Sequence, residues 1–123
     1  MPTTPTISIV DDDDMVRDST DSLIRSIGYR TLTFPSAEDF LESGRVTETS
    51  CLITDLNMPG LSGLDLQSRL RAEGLATPVI FVTAYFEDRF RDRAMQGGAV
   101  GFLKKPFDED SLLTCIDKAL QKS

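Results

Sequence analysis

The chain has 123 residues, a length that fits one domain and leaves little room for a second. Its 13 basic and 20 acidic residues give a net charge of -7, which disfavours direct nucleic-acid binding because phosphate contacts need a basic face. The chain has no histidine, which excludes the commonest general base, the commonest metal ligand and the Ser–His and Cys–His nucleophile pairs.

The composition also bears on where the protein works. No apolar run approaches the ~20 residues that a membrane-spanning helix needs, and residues 1–6 lack the basic and apolar segments of a signal peptide. Cys51 and Cys115 are not at metal-ligand spacing, and we interpret them as reduced, buried small residues. We therefore expect a cytoplasmic protein that binds neither a membrane nor nucleic acid directly.

Short β-rich segments alternate with amphipathic helical segments along the chain. In chain order, the pattern predicts a strand over 6–10, a helix over about 14–27, a strand over 30–34, a helix after the N-cap Ser36, a strand over 50–54, a helix over about 64–72, a strand over 78–82, a helix over about 86–96, a strand over 101–103 and a helix from near Asp108. Three of the strands are almost continuously apolar, which is typical of strands covered on both faces. The alternation predicts a doubly wound α/β fold with a parallel sheet.

Polar side chains follow four of the five predicted strands. Asp11 and Asp12 follow the first strand, Asp55 the third, Thr83 the fourth and Lys105 the fifth. Because sites in open parallel sheets form beyond the carboxyl ends of the strands, we expect these side chains to converge on one rim.

This set of groups predicts phosphoryl chemistry. Crowded carboxylates repel one another, and a hard divalent ion such as Mg2+, which prefers oxygen ligands, relieves that repulsion. The carboxylate nearest the lysine can then attack phosphorus and form an acyl phosphate. Lys105 would neutralise the phosphoryl oxygens and Thr83 would donate a hydrogen bond to them. Backbone N–H groups of Asn57 and Ala84, in the turns after Asp55 and Thr83, would complete the cradle.

Four motifs at the strand ends resemble, in order and spacing, the CheY-like receiver domains of two-component response regulators. They are Val10-Asp-Asp12, Thr54-Asp-Leu-Asn-Met-Pro-Gly60, Val82-Thr-Ala84 and Lys104-Lys-Pro-Phe107. Each motif is weak alone, but together they are highly specific. The segments 36–41 and 98–102 are most similar to the FixJ-type subfamily, whose members usually carry a C-terminal helix-turn-helix.

The resemblance implies a flavodoxin-like (βα)5 fold with strand order 2-1-3-4-5, in a single receiver domain over 1–123 with its core at about 6–121. It implies that Asp55 accepts a phosphoryl group from the phosphohistidine of a sensor histidine kinase. Asp12, Asp55 and the backbone carbonyl of Asn57 would bind Mg2+, or Mn2+ in its place, with Asp11 assisting through water. Such a domain is a stoichiometric phosphoacceptor that assists its own phosphorylation and dephosphorylation, not an enzyme.

The resemblance also implies a switch. Thr83 would move onto the phosphoryl oxygens, Lys105 would pair with them, and the Lys105–Pro106 bond would be cis. Phe102 occupies the family's aromatic switch position, although a buried aromatic filling the core fits it as well. The output face would be the fourth helix, fifth strand and fifth helix, often used for dimerisation and here for control of a DNA-binding effector. Because the chain stops at Ser123, a stand-alone receiver in a phosphorelay is the alternative.

Several acidic and basic residues have simpler explanations. Asp13 and Asp14 are interpreted as caps of the first helix, where the helix dipole favours negative charge. A calcium-binding loop from residue 11 is excluded by Val16 where glycine is needed and by Ser22 where glutamate is needed. The arginines at 89, 91 and 93 are better explained by a solvated face with Glu87–Arg91 and Arg89–Asp92 pairs than by an anion site.

Three other functions fit the sequence less well than a receiver does. In an aspartyl phosphatase, an acid two residues after Asp55 would protonate the leaving group, and Asn57 cannot do so. A flavin or nucleotide binder would need a glycine-rich phosphate loop where acidic residues follow the first strand. A receiver-like binder without phosphorylation would not need the full set of groups. Finally, Tyr85 and Asn57 should flank the path of the hydrolytic water, and we hypothesise that Tyr85 slows self-dephosphorylation by crowding it.

Overall fold

The computed structural model describes residues 4–121 and contains five strands and five helices over that range. The strands are β1 (Thr6–Val10), β2 (Arg30–Phe34), β3 (Cys51–Asp55), β4 (Val79–Thr83) and β5 (Gly101–Lys104). The helices are α1 (Asp14–Ser26), α2 (Ala37–Glu42), α3 (Gly63–Ala72), α4 (Asp88–Gln96) and α5 (Glu109–Gln121), with a 3-10 turn at Val46–Glu48. All neighbouring strands are parallel, in the order β2-β1-β3-β4-β5, which confirms the predicted doubly wound fold.

Helices cover both faces of the sheet, so the core has two layers. One cluster joins inward side chains of β1, β3 and β4 to Ile24 of α1 and Leu112 and Ile116 of α5. The other joins the opposite side chains of the same strands to Phe40 of α2 and Leu66 of α3. Every residue of β3 and β4 is buried, which explains why their sequences are almost continuously apolar.

Two strands lie one residue later than the sequence pattern predicts. β3 and β4 end at Asp55 and Thr83, where the predicted strands ended at residues 54 and 82. The apolar run stops before each polar residue, but the sheet hydrogen bonds continue: Asp55 is registered with Val82, and the Lys105 N–H donates to the Thr83 carbonyl at 2.7 Å. Asp55 and Thr83 are therefore held by the sheet and not by the loops that follow it.

Helix starts are set by local caps. Asp13 accepts hydrogen bonds from the N–H groups of Met15 and Val16, as the interpretation of Asp13 as a cap requires. Ser36 caps α2 through the Asp39 N–H, as expected. The sequence analysis missed a complete capping box at Ser62 and Asp65, which starts α3.

The predicted ion pairs of α4 are wrong in detail. The helix begins at Asp88, two residues later than predicted, so Glu87 precedes the first turn and pairs with Arg89 at 2.8 Å. Arg91 pairs with Asp88 at 3.6 Å and with Asp92 at 3.4 Å. The predicted ion-paired, solvated face is present, formed by different partners.

Both cysteines are free thiols, but only one is fully buried. Burial, with a smaller contribution from nearby Cys115, raises the pKa of Cys51 to about 12, so this thiol stays protonated. Cys115 is only half-buried, which corrects the expectation for that residue: it lies on α5 against Gly101 of β5. Among residues 4–121, none of the helices combines the length and apolarity that crossing a membrane requires.

Candidate functional site

The carboxyl ends of β1, β3, β4 and β5 bring the predicted site residues together. Lys105 Nζ lies 2.9 Å from Asp11 Oδ2 and 3.1 Å from Asp55 Oδ2. Asp11 and Asp55 are buried, with 2% and 6% of their surface exposed, whereas Asp12 is exposed at the rim. Thr83 is fully buried on the strand next to Asp55.

Lys105 is shared by two carboxylates, although the sequence analysis assigned it only to the phosphoryl group. Burial lowers the pKa of Lys105, but its contacts with Asp11 and Asp55 outweigh burial and leave that pKa raised. The Lys105–Pro106 peptide bond is cis, as expected. The lysine is therefore charged and already in place at the rim.

The surroundings of the Asp55 carboxyl group disfavour its ionised form. Burial raises the pKa of its carboxyl group, and the charge of Asp11 adds to this effect. Lys105 and the N–H of Asn57, 3.4 Å from Asp55 Oδ1, oppose the rise without cancelling it. A further cation beside Asp55 would favour the ionised form that nucleophilic attack needs.

The acidic cluster fits a hard divalent ion. One carboxylate oxygen from each of Asp11, Asp12 and Asp55 lies within 4.8 Å of the others. Asp11 Oδ2 is buried and forms no well-oriented hydrogen bond, since its contact with Lys105 is an ion pair without hydrogen-bond geometry. An all-oxygen set of three clustered carboxylates matches the ligands that Mg2+ prefers.

The Thr83 hydroxyl is held by the loop that follows it. It accepts a hydrogen bond from the Tyr85 N–H at 3.0 Å and donates to the Tyr85 carbonyl at 3.3 Å. The Asn57 side-chain amide reaches the same oxygen at 3.5 Å. Ala84 lies in this exposed loop, and the Tyr85 side chain is 71% exposed. To donate to any other acceptor, the hydroxyl would have to give up its bond to the Tyr85 carbonyl.

Phe102 lies half-buried between two other aromatic rings. Its ring centroid is 6.0 Å from that of buried Phe81 and 5.2 Å from that of Phe86, which meets it edge-on at 80°. Both interpretations of Phe102 are thus compatible with its position, because it contacts the core and the loop after β4. The sequence analysis did not identify Phe86, which it placed inside the fourth helix.

Arg17 is a second residue of the rim that the sequence analysis missed. Its Nη1 donates to the backbone carbonyl of Asp11 at 2.7 Å, while Nη2 pairs with Asp14 at 2.5 Å. The spacing of Asp14 and Arg17 on a helix signals the ion pair, but nothing in the pattern signals the carbonyl contact. Arg17 holds the backbone next to the acidic cluster.

The raised pKa of Asp55 predicts a pH-dependent stability in the absence of divalent ions. The folded protein binds this proton more tightly than the unfolded chain, so the free energy of unfolding falls as the pH rises from the ordinary value of 3.8 through the raised one. Urea unfolding across that pH range should show a free energy of unfolding that falls with pH in the wild type relative to Asp55→Asn. An equal slope in both proteins would contradict the assignment.

Comparisons with known proteins find a matching family model and related sequences. Residues 7–117 match the family model described as the response regulator receiver domain. The chain is 40% identical over 116 residues to nodulation protein W of Bradyrhizobium diazoefficiens, covering 94% of this chain and 51% of that protein. It is 37% identical over 123 residues to the transcriptional regulatory protein FixJ of Azorhizobium caulinodans, covering 100% and 58%.

Solved structures give the same result. The crystal structure of FixJ-N superposes with a TM-score of 0.88 at 31% identity, covering 99% of this chain and 98% of that one. The response regulator StyR superposes with a TM-score of 0.89 at 43% identity, covering 97% and 60%. The chain spans about half the length of the curated relatives it matches.

Proposed function

Because this chain belongs to the family of response regulator receiver domains, we propose that it is a two-component phosphorylation switch in which Asp55 accepts a phosphoryl group from the phosphohistidine of a sensor histidine kinase. The observation that carries the proposal is the position of Asp55: it is buried at the end of β3, paired with Lys105 and clustered with two other carboxylates. Members of this family are signalling switches and not typical enzymes.

In this proposal, Asp11, Asp12, Asp55 and the backbone carbonyl of Asn57 hold Mg2+, or Mn2+ in its place. The bound ion supplies positive charge that keeps Asp55 ionised and offsets the charge of the phosphoryl oxygens. Asp11 contributes a carboxylate oxygen within 4.8 Å of those of Asp12 and Asp55, which is a reason to assign it a role beside the cation.

The chain's own groups would do the rest of the chemistry. An Asp55 oxygen bonds to phosphorus as the phosphorus–nitrogen bond of the phosphohistidine breaks, and the bonding electron pair returns to the imidazole. Lys105, already 3.1 Å from Asp55, turns its ammonium group to the transferred oxygens. Backbone N–H groups of Asn57 and Ala84 and the Thr83 hydroxyl would donate the remaining hydrogen bonds.

The proposed outcome is a modified protein and not a released product. Asn57 lies two residues after Asp55, where an acid would be needed to protonate the leaving group of an ester, and an amide cannot donate that proton. This disfavours an aspartyl phosphatase. The acyl phosphate instead remains on the domain until water hydrolyses it.

A direct test uses a small phosphoryl donor, such as acetyl phosphate, and intact mass measurement with and without Mg2+. The proposal expects a gain of one phosphoryl group that requires the ion. It also expects no steady-state turnover of a phosphate ester in the same buffer. Turnover of the ester, or the absence of any mass gain with Mg2+ present, would overturn the proposed function.

We also propose that Tyr85 slows loss of the phosphoryl group. Its side chain is 71% exposed next to Thr83, where it can crowd the approach of the hydrolytic water. Tyr85→Ala should shorten the lifetime of the phosphoprotein, while Tyr85→Phe should preserve it because the ring remains. Decay followed by intact mass after donor removal decides this. Equal lifetimes for wild type and Tyr85→Ala would contradict the role.

The proposed output face consists of α4, β5 and α5, with Phe102 and Thr83 as the switch residues. Because the chain spans only part of its relatives, one of which is a transcriptional regulatory protein, we propose that this face controls dimerisation and a DNA-binding effector. The domain itself would not bind nucleic acid, as its charge of -7 indicates. A stand-alone cytoplasmic receiver over 1–123, acting through protein contacts, is the alternative.

A further inference from the structure

The loop between β3 and α3, residues 56–62, carries Asn57, is tied to the sheet at its start and is closed by a backbone hydrogen bond between its two ends. The Leu56 N–H donates to the Val82 carbonyl at 3.0 Å, and the Gly63 N–H donates to the Leu56 carbonyl at 2.9 Å. Between these ties, the Asn57 N–H makes only a long hydrogen bond of 3.4 Å to Asp55. The position of Asn57 therefore depends on what else holds the loop.

Glu38 of α2 reaches across to this loop. The Leu61 N–H donates to Glu38 Oε2 at 3.1 Å, a contact between residues 23 apart in the chain. Of the hydrogen bonds found within residues 4–121, this is the one that ties the middle of the loop to another helix. A charged acceptor makes it stronger than an ordinary backbone hydrogen bond.

Gly60 makes room for this contact. Its φ of 77° lies in the left-handed region that glycine adopts without strain. A Cβ atom there would also overlap with the Glu38 carboxylate. Two separate features of the loop, its backbone conformation and its close approach to Glu38, thus depend on the same glycine.

The Glu38 carboxylate has few hydrogen-bond partners for a group that is partly buried. Its Oε1 is buried and has no hydrogen-bond partner among the described residues, so its single strong contact is with the loop. Burying a carboxylate oxygen without a donor costs free energy. Glu38 lies in the first turn of α2, where a negative charge is favourable, so its hydrogen bond to the Leu61 N–H is the feature that points beyond the helix.

We propose that Glu38 is a positioning residue of the phosphorylation site, which holds the loop through the Leu61 N–H so that the backbone of Asn57 faces the acidic cluster. The inference rests on the proposed function, in which the Asn57 carbonyl binds the metal ion and its N–H binds the phosphoryl group. Outer residues that orient metal ligands typically change metal affinity about 10- to 100-fold when they are removed. Loss of this tie should weaken Mg2+ binding about tenfold.

The first test compares Glu38→Ala, Glu38→Gln and Glu42→Ala. Glutamine keeps an oxygen that can accept from the Leu61 N–H, and Glu42 is an exposed acid on the same helix. Mg2+ titration followed by amide NMR shifts should give a midpoint about tenfold higher for Glu38→Ala and near the wild-type value for the other two. Amide exchange at Leu61 and Asn57, measured without Mg2+, should speed up only in Glu38→Ala.

The second test uses Gly60→Ala, with Gly74→Ala as its matched control. Gly74 has nearly the same φ, 76°, but its added Cβ would meet open space. Gly60→Ala should raise the Mg2+ midpoint as Glu38→Ala does, and Gly74→Ala should not. In the Glu38→Ala background, Gly60→Ala should weaken Mg2+ binding less than it does alone, because the overlap with Glu38 is gone and only the strain of the left-handed backbone remains.

These outcomes decide the inference independently of the proposed function. Unchanged Leu61 and Asn57 exchange in Glu38→Ala overturns the positioning role even if the wild type is phosphorylated normally. An unchanged Mg2+ midpoint in that variant, or a glutamine variant as weak as the alanine variant, does the same. If the wild type neither binds Mg2+ nor gains a phosphoryl group, the proposed function fails, and faster exchange in Glu38→Ala would then support only the tie to the loop.

Discussion

Asp55→Asn is expected to abolish phosphoryl uptake while leaving the fold intact. The amide has nearly the shape of the carboxylate but is a poor nucleophile toward phosphorus. It also removes one of the crowded charges at the rim, so the variant should be at least as stable as the wild type at neutral pH without Mg2+. Intact mass after incubation with a small phosphoryl donor and Mg2+ measures the first effect, and urea unfolding measures the second.

Asp18→Asn is the matched control for this experiment, because Asp18 is an exposed carboxylate on α1 outside the cluster. It should gain the phosphoryl group as the wild type does. A Mg2+-dependent gain of equal size in Asp55→Asn would place the phosphoryl group on another residue. That result would remove Asp55 from its proposed role whatever the other carboxylates do.

Lys105→Ala is expected to separate metal binding from phosphoryl transfer. The lysine lies 2.9 Å from Asp11 and 3.1 Å from Asp55, so its loss leaves the two carboxylates less neutralised. Mg2+ should then bind more tightly, while uptake of the phosphoryl group slows by about 10²-fold because a positioned cation is missing from the transition state. Mg2+ titration and the rate of mass gain at saturating Mg2+ give the two quantities.

Lys104→Ala tests whether the effect belongs to the site or to net charge. Lys104 is the exposed neighbour and makes no ion pair in the described part of the chain. It should change neither quantity appreciably. Weaker Mg2+ binding in Lys105→Ala would show that the lysine supports the metal site and does not compete with it, which contradicts the electrostatic account.

The rim could be predicted from sequence because it depends on strand ends. Apolar runs mark where β1, β3 and β4 finish, and parallel strands place their carboxyl ends at one edge. β3 and β4 end only one residue later than predicted, at Asp55 and Thr83, since a polar residue can still complete the hydrogen bonds of a strand. The type and order of the groups at the edge then indicate their chemistry.

Long side chains were not predictable in the same way. Lys105 can reach either carboxylate, and the packed structure alone shows that it reaches both. Glu38 contacts a loop 23 residues away, a distance that no helical or strand periodicity connects. The predicted pair of Glu87 with Arg91 is a smaller error. Because α4 starts at Asp88, Glu87 lies before the helix and pairs with Arg89.

Gly101 brings β5 and α5 unusually close. A Cβ atom on this residue would lie 2.5 Å from Cys115 Sγ, so the helix is seated on the strand with no side chain of Gly101 between them. Phe102 follows immediately on the same strand, so β5 links this close contact to the ring that packs on Phe81 and Phe86. A methyl group at residue 101 would push α5 away from the strand, so under the proposed function we expect Gly101→Ala to take up the phosphoryl group while its output face is altered.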